Sequence, residues 1–199
     1  PTRRTYLNIG FGRIRQKCDP TDPKKVERTL EDGEKVYARE YKDLSGVLEG
    51  IEFKTHPEYG NSWLVYLTDG DDKFALQIKE ESRFGGDFLR RVPQLHKGMW
   101  YKFAPYDFVP QGSEKRKRGL SIRDQKNNHV ESFFQVFGKD GDKVTVKNIN
   151  EFPNYVGKWG EDKDEESIYF KRVTKFLRSR AQQDITEAAF GEIPVDQVF

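Results

Sequence analysis

The chain has 199 residues, of which 35% are hydrophobic, 14% aromatic and 34% charged, and its formal net charge is +2. This length suffices for one well-buried domain with extensions, and the core of that domain must depend on large rings. A nearly balanced total charge excludes any inference about partners from net charge, so local clusters of charge have to be considered.

The composition also bears on compartment and membrane. Cys18 is the single cysteine, so an intrachain disulfide is excluded and a reducing compartment is expected. No apolar run approaches the ~18 residues of a membrane span, and the first residues lack the apolar core of a secretory signal. We expect a soluble, intracellular protein that does not insert into a membrane.

Residues 1–35 are expected to form a basic N-terminal arm and linker. Residues 1–17 carry five cations and no acid, with Tyr6 and Phe11 among them. This predicts either an arm whose cations neutralise phosphates while a ring stacks on a base, or a surface strand with solvated arginines. Residues 19–34 contain two prolines and show no periodicity, which is typical of a loop or mobile linker.

Residues 36–128 are expected to form a barrel. Five segments are typical of β-strands: SGVLEGIEFK, NSWLVYLTD, DKFALQIK, MWYKFAPYDF and RGLSIRDQ. One helix-like segment, near FGGDFLRRVPQLHKG, lies between the third and the fourth. Gly46 and Gly50 in the first strand predict a bulge that lets one strand serve two sides. Five strands with a helix after the third is the order of a five-stranded Greek-key barrel, so a mainly β fold is predicted.

Residues 129–183 are expected to add a hairpin and a closing helix. ESFFQVF and VTVKNI flank GKDGDK, which predicts an extra β-hairpin. A C-terminal helix is predicted from about Asp162 to Gln182, with acids at its start and cations at its end, as the helix dipole favours. Its apolar stripe should dock on the barrel and consists of Tyr169, Val173, Phe176 and Leu177. Residues 184–199 form an acidic C-terminal tail that ends in Phe199.

Motifs for catalysis or metal binding do not emerge. The three histidines are widely separated and have no ligand at metal-binding spacing. The loop from Asp69 has acids at positions one, three and twelve of a calcium loop, but Lys73 and Phe74 occupy its fifth and sixth positions. Neither GxxxxGK[ST] nor GxSxG is present. We predict a protein that is not an enzyme and needs no metal and no cofactor.

Aromatic residues alternate with cations on the predicted strands. Binding a single strand without reading its sequence requires a groove of cations and exposed rings that stack on bases. The candidate rings are Trp63, Tyr66, Trp100 and Tyr106, and the candidate cations on the strands are Lys73, Lys79, Lys102 and Arg123. For the two tryptophans the alternative is that they fill the barrel.

A run of four cations occupies the predicted loop between the fourth and fifth strands, and it consists of Lys115, Arg116, Lys117 and Arg118. Barrels of this kind use that loop to bind oligonucleotides. From residue 111 to residue 126 there are six cations and two acids. The run predicts contact with nucleic acid, while a nuclear-localisation signal or a solvated loop are the alternatives.

The order of elements, together with phrases such as FLRRVPQLHKGMWYKFAPYDF, resembles single-stranded DNA-binding proteins with an oligonucleotide-binding (OB) fold, particularly those of bacteriophages. The similarity runs from SGVLEGIEF to RGLSIRDQ. INEFPNYVGKWGEDKDEESIYFKRVTKFL is similar to the proline-containing loop and closing helix of some phage members. The resemblance implies coating and protection of single-stranded DNA during replication, recombination or repair, in the cytoplasm of a bacterial host and without catalysis.

Many such proteins end in an acidic tail tipped by an aromatic residue, which recruits partner proteins or occupies the DNA groove. GEIPVDQVF ends in Phe199 and is similar in kind, so replication or recombination proteins are possible partners. Its acids are scattered and no flexible linker precedes them, so a docked C-terminal segment is the alternative.

The leading hypothesis is sequence-tolerant binding of single-stranded DNA, with RNA not distinguished, since stacking and phosphate contacts serve both. The alternative is a protein-interaction or assembly module, such as a phage structural component, that uses the same barrel. A third hypothesis is a small enzyme domain acting on nucleic acid, which would require a divalent metal and converging carboxylates.

Overall fold

A sheet of nine strands dominates the computed structural model, which describes residues 3–134, 152–153 and 155–186. The strands are β1 (Arg4–Gly10), β2 (Arg13–Lys17), β3 (Val26–Thr29), β4 (Lys35–Tyr41), β5 (Leu44–His56), β6 (Gly60–Asp69), β7 (Asp72–Lys79), β8 (Trp100–Phe108) and β9 (Lys117–Asp124). Helix α1 (Arg83–Arg91) continues into a 3-10 turn (Val92–Gln94) and separates β7 from β8. Helix α2 (Lys163–Thr186) follows later in the chain.

Within the described residues the strand order is β3-β4-β2-β1-β7-β6-β5-β8-β9. Neighbouring strands are antiparallel except β1 and β7, which run parallel. The register of β5 against β6 shifts between Leu48 and Gly50, at the predicted bulge. The first four residues of β5 pair with β8, and from Val47 onward the strand pairs with β6. One strand therefore serves two sides of the curled sheet, as predicted.

The sheet curls so that its first two strands approach β8. Gly12, in the turn between β1 and β2, has φ +70°, and a Cβ there would lie 2.7 Å from Asp107 Cβ and 2.9 Å from its backbone nitrogen. The result is a nine-stranded half-barrel, and the prediction of a closed five-stranded barrel is wrong. β1 pairs with the free edge of β7. Helix α1 is joined to the sheet by a hydrogen bond from the Leu120 N–H of β9 to Asp87 Oδ2, at 2.9 Å.

The N-terminal segment belongs to the same sheet. β1 to β4 extend it beyond β7, so Arg4–Gly10 and Arg13–Lys17 are strands of the sheet, and contact of their cations with phosphates stays a prediction. The interpretation of residues 19–34 as loop is wrong at Val26–Thr29, which pairs with β4. These four residues alternate between half-buried and exposed without a clean apolar pattern, so periodicity gave little signal there.

The five strands predicted for residues 36–128, the short helix after the third of them and the closing helix are present, as β5 to β9, α1 and α2. In α2, Asp162 Oδ1 accepts the N–H groups of Asp164 and Glu165 at 3.0 and 3.1 Å, which caps the first turn. Tyr169, Val173 and Leu177 are at most 5% exposed and pack against the core. The predicted apolar stripe therefore docks as expected.

A buried ion pair ties α2 to the sheet. The side chain of Glu80, directly after β7, has no exposed surface, and Arg178 Nε lies 2.9 and 3.0 Å from its two carboxylate oxygens. Trp63 Nε1 donates to Glu80 Oε2 at 3.0 Å. The hydrogen bond from Arg178 to Glu80 raises the pKa of Arg178. Since removing one partner of such a pair typically costs ~3–5 kcal/mol, this contact fixes the helix.

The predicted extra hairpin and the C-terminal tail lie mostly outside the described residues. The extra hairpin falls mostly on residues 135–149, and the tail from residue 187 to Phe199 follows α2; both lie outside the described residues.

Candidate nucleic-acid interface

A cleft with four cations and one tyrosine lies where β8, β9 and the start of α1 meet. It has a volume of about 540 Å³, and its lining residues are Arg83, Tyr106, Arg116, Lys117 and Arg118. We call it the basic cleft. Arg83 is the first residue of α1, a position fixed because the Ser82 hydroxyl caps the helix by accepting the Gly85 N–H at 3.0 Å.

The register of β8 and β9 positions the rest of the cleft. Tyr106 lies opposite Gly119, and Asp107 lies opposite Arg118. The predicted loop run of four cations is therefore divided, because β9 already begins at Lys117. Strand geometry, rather than a free loop, holds two of the four cations.

Asp107 sets the electrostatics of the basic cleft. Its carboxylate accepts two hydrogen bonds from Arg116, both of 2.5 Å, and Arg118 Nε lies 3.5 Å from Oδ2. The hydrogen bond from Arg116 lowers the pKa of Asp107, and the same bond raises the pKa of Arg116. Asp107 contacts Arg116 and Arg118 and Asp87 lies beside Gly119, but all four charged residues that line the cleft are cations, so the cleft keeps an excess of positive charge.

Gly119 makes room for the tyrosine ring. A Cβ at Gly119 would lie 2.4 Å from the Tyr106 hydroxyl oxygen and 2.4 Å from Asp87 Oδ2. The ring also meets Phe108 edge-on, with 6.2 Å between centroids. Tyr106 is 37% exposed, so an oriented and accessible ring stands among the cations.

A second surface lies on the face of β1, β7 and β6 that points away from the core. We call it the sheet face, and it comprises Arg4, Tyr6, Tyr66, Lys73 and Lys79. On the two strands that flank β7, Tyr6 of β1 and Tyr66 of β6 both lie opposite Ala75, which is fully buried. Tyr6 is 65% exposed. This face therefore presents one accessible ring beside three cations.

Tyr66 is already engaged within the protein. The Arg4 guanidinium lies 4.5 Å from its ring centroid, and its hydroxyl donates to Glu52 Oε2 at 2.5 Å. Burial, and then the hydrogen bond to Glu52, raise the pKa of Tyr66 to about 12. Tyr66 therefore supports the sheet face, while Tyr6 is its accessible ring.

Trp63 does not belong to either surface, and its expected outward orientation is wrong. It is fully buried on the same face of β6 as Val65 and Leu67. Its ring centroid lies 5.0 Å from that of Phe53 and 6.4 Å from that of Phe88. With its N–H bound to Glu80, Trp63 fills the core, which was the alternative stated for it.

The remaining candidates lie apart from the basic cleft. Trp100 and Lys102 are half-buried and share a face of β8 with Tyr106, but Trp100 is six residues away, ~20 Å along the strand. Arg123 donates to the Asn127 carbonyl at 2.8 Å and so is held by its own turn. Lys115 is exposed and is not among the residues that line the cleft.

Arg83 is the cleft residue that is not predicted from the sequence. Arg4 and Tyr6 belong to the basic segment predicted to contact nucleic acid, and the alternation in RTYLNI places them on one strand face. Arg83 carries no local signal, because what makes it part of a site is the distant strand β9. Phe199, the candidate for partner binding, lies outside the described residues.

The described residues hold no candidate metal site and no candidate membrane span. Across residues 3–134, 152–153 and 155–186, no three His, Cys, Asp or Glu side chains are grouped so as to hold a metal ion. In the same ranges neither helix has the length and apolar character needed to span a membrane.

Comparison of the chain with protein-family models, with curated proteins and with solved structures gives no match. The resemblance to single-stranded DNA-binding proteins therefore stays an expectation from element order, and the function has to be argued from the basic cleft and the sheet face.

Proposed function

We propose that the protein binds single-stranded DNA without reading its sequence, and that it coats and protects the strand during replication, recombination or repair. The observation that carries this proposal is the basic cleft, where the accessible ring of Tyr106 lies among four cations. Cations neutralise the phosphates, and stacking of a base on an aromatic ring contributes ~1–3 kcal/mol. The setting in a phage-infected bacterium, and a role without catalysis, rest on the resemblance alone.

The sheet face adds support. Tyr6 offers a second accessible ring, and Lys73 lies opposite Arg4 on the neighbouring strand. A DNA strand that passes over more than one ring can stack a base on each of them. Because every base has a π-face, this stacking does not depend on sequence. The two surfaces are therefore suited to binding that tolerates sequence.

Fluorescence anisotropy with labelled oligo-dT and with an abasic oligomer of equal length tests the proposal. Anisotropy is preferable to tryptophan emission because Trp63 is buried and Trp100 lies ~20 Å along β8 from Tyr106. Tyr106→Ala should weaken oligo-dT binding by roughly 5- to 150-fold, the factor that ~1–3 kcal/mol represents, and leave abasic binding nearly unchanged. Replacing both Arg116 and Arg118 by Gln should weaken binding of both oligomers.

Tyr59→Ala is the matched control. Tyr59 is a 68% exposed tyrosine in the turn between β5 and β6, outside both surfaces, so its loss should not change affinity. The proposal is rejected if the wild-type protein shows no saturable binding at micromolar concentration. It is also rejected if the protein binds the abasic oligomer as tightly as oligo-dT.

An assembly role is the second candidate function, favoured by exposed apolar side chains in the C-terminal part of the described chain. Val156 is 96% exposed, Ile168 59% and Phe170 50%. Exposed apolar area of this kind is suited to a protein partner or a second copy. In sedimentation equilibrium this role would give an associating species that Ile168→Ser dissociates and that added salt does not.

A further inference from the structure

Phe11 occupies an unusual position in the turn between β1 and β2. Its φ is 55°, in the left-handed region, and it is 41% exposed. For a bulky residue such a backbone costs ~1–3 kcal/mol and persists where the surroundings enforce it, often at ligand-binding positions. A large apolar ring held exposed in this way is a candidate contact for a ligand.

Two arginines hold the ring. The Phe11 centroid lies 4.8 Å from the Arg15 guanidinium carbon and 5.2 Å from that of Arg28. Both arginines meet Glu40: Arg28 donates to it at 3.0 and 2.7 Å, and Arg15 Nε lies 3.2 Å from Oε2. One carboxylate thus faces two guanidinium groups, and the cluster keeps an excess of positive charge.

Arg15 has donor capacity that the protein does not use. It is 8% exposed, yet its Nε and Nη2 atoms have no hydrogen-bond acceptor among the described residues. The 3.2 Å approach of Nε to Glu40 is an ion-pair distance without hydrogen-bond alignment. Both atoms are covered by the protein, so Arg15 contributes positive charge that Glu40, shared with Arg28, does not fully neutralise. A phosphate oxygen would reach the cluster through Arg28, whose side chain is 37% exposed.

The turn that carries Phe11 adjoins the basic cleft. Gly12, the next residue, packs on Asp107, with only 2.9 Å between its Cβ position and the Asp107 nitrogen. Asp107 in turn holds Arg116 of the cleft. A single strand that leaves the basic cleft past Asp107 therefore meets the turn and the ring of Phe11.

We propose that Phe11, Arg15 and Arg28 form a second nucleotide position, in which a base stacks on Phe11 and a neighbouring phosphate accepts from Arg28, while the covered charge of Arg15 adds attraction. The inference rests on the proposed function, since the ligand is the next stretch of the same DNA strand. A guanidinium fork suits a phosphate, and a flat ring suits a base.

Phe11→Asn is the decisive variant. Asparagine tolerates the left-handed backbone, so the ring is removed without adding strain to the turn. Affinity is measured by anisotropy for a series of oligo-dT of increasing length. The wild-type protein should gain affinity in a step when the oligomer becomes long enough to reach from the basic cleft to the turn, and Phe11→Asn should lose that step, weakening long oligomers roughly 5- to 150-fold.

Tyr59→Ala serves again as the control, since Tyr59 is an exposed aromatic residue outside the cleft, the sheet face and the turn, and it should keep the step. Photo-crosslinking of wild-type protein to oligo-dT containing 5-iodouracil gives an independent measurement. Tandem mass spectrometry of the peptide TYLNIGFGR should place an adduct on Phe11 and tell it from one on Tyr6.

The failures of the two proposals are distinguishable. The inference is overturned if Phe11→Asn keeps the wild-type length dependence, or if the adducts leave out Phe11, and loss of binding in Tyr106→Ala would then still support the proposed function. Absence of any oligo-dT binding by the wild-type protein overturns both.

Discussion

The salt dependence of binding is the sharpest test of the basic cleft. For single-stranded nucleic acid, each neutralised phosphate contributes about −0.7 to the slope of log K against log salt concentration. The four cations of the cleft would give about −2.8 if each met one phosphate. Arg116 must exchange Asp107 for the phosphate, which reduces its share. We therefore expect a slope between about −2 and −3 for the wild-type protein.

Lys117→Gln removes one of these charges while leaving the neighbouring strand β8 and the ring of Tyr106 in place. The slope should become shallower by about 0.7. Raising salt from about 50 to about 200 mM would then lower the affinity of the variant about 20-fold. For a wild-type slope of about −2.8 the affinity would fall about 50-fold, because the wild-type protein neutralises about one phosphate more. Lys97→Gln is the control, because Lys97 is exposed but does not line the cleft.

Anisotropy titrations of oligo-dT at several salt concentrations give both slopes directly. An unchanged slope in Lys117→Gln would refute the placement of a phosphate beside Lys117. A wild-type slope shallower than about −1 would refute phosphate neutralisation by the cleft altogether, since it corresponds to fewer than about two phosphates.

Three further predictions concern the ring, the closing helix and the sheet face. Gly119→Ala should weaken oligo-dT binding about as much as Tyr106→Ala, because the added Cβ would lie 2.4 Å from the Tyr106 hydroxyl oxygen; unchanged anisotropy titrations would contradict this. Arg178→Met should lower the free energy of unfolding in urea by roughly 3 kcal/mol or more, since it leaves Glu80 fully buried without its cation; a loss below about 1 kcal/mol would show that the pair does not hold α2. The phenol of Tyr66, with its pKa raised from 10.0 to about 12, contributes stability that is complete below pH 10 and is lost as the pH rises to about 12; ultraviolet titration of tyrosinate should show one fewer late-titrating group in Tyr66→Phe.

The elements were predictable where their pattern is local. Alternation in KFALQIK and the stripe on α2 depend on neighbours two to four positions away, and both are present in the fold. The extension of the sheet by the N-terminal strands was not predictable, because β1 pairs with β7 in parallel and Arg4 lies opposite Lys73, some seventy positions along the chain. Nothing near Arg4 encodes that partner, so the count of five strands overlooked four others in the same sheet.

The site was predictable in part for a similar reason. Tyr106 and three of the cleft cations follow from strand order, whereas Arg83 does not. In NSWLVYLT both faces carry large apolar side chains, so alternation cannot decide whether Trp63 or Tyr66 points to the core. What decides it is Glu80, a remote acceptor that gives the indole N–H a buried partner.

The total charge of +2 and the two arginine-rich positions are reconciled by where the carboxylates lie. Asp107 faces Arg116 and Arg118, and Glu40 faces Arg15 and Arg28, so each carboxylate serves two guanidinium groups. A carboxylate and a phosphate offer the same pair of oxygens to a guanidinium fork. In the proposed function the carboxylates therefore hold the arginines in place before DNA arrives and compete with its phosphates afterwards. In that function the arrangement would orient the cations for binding and limit the affinity of the complex.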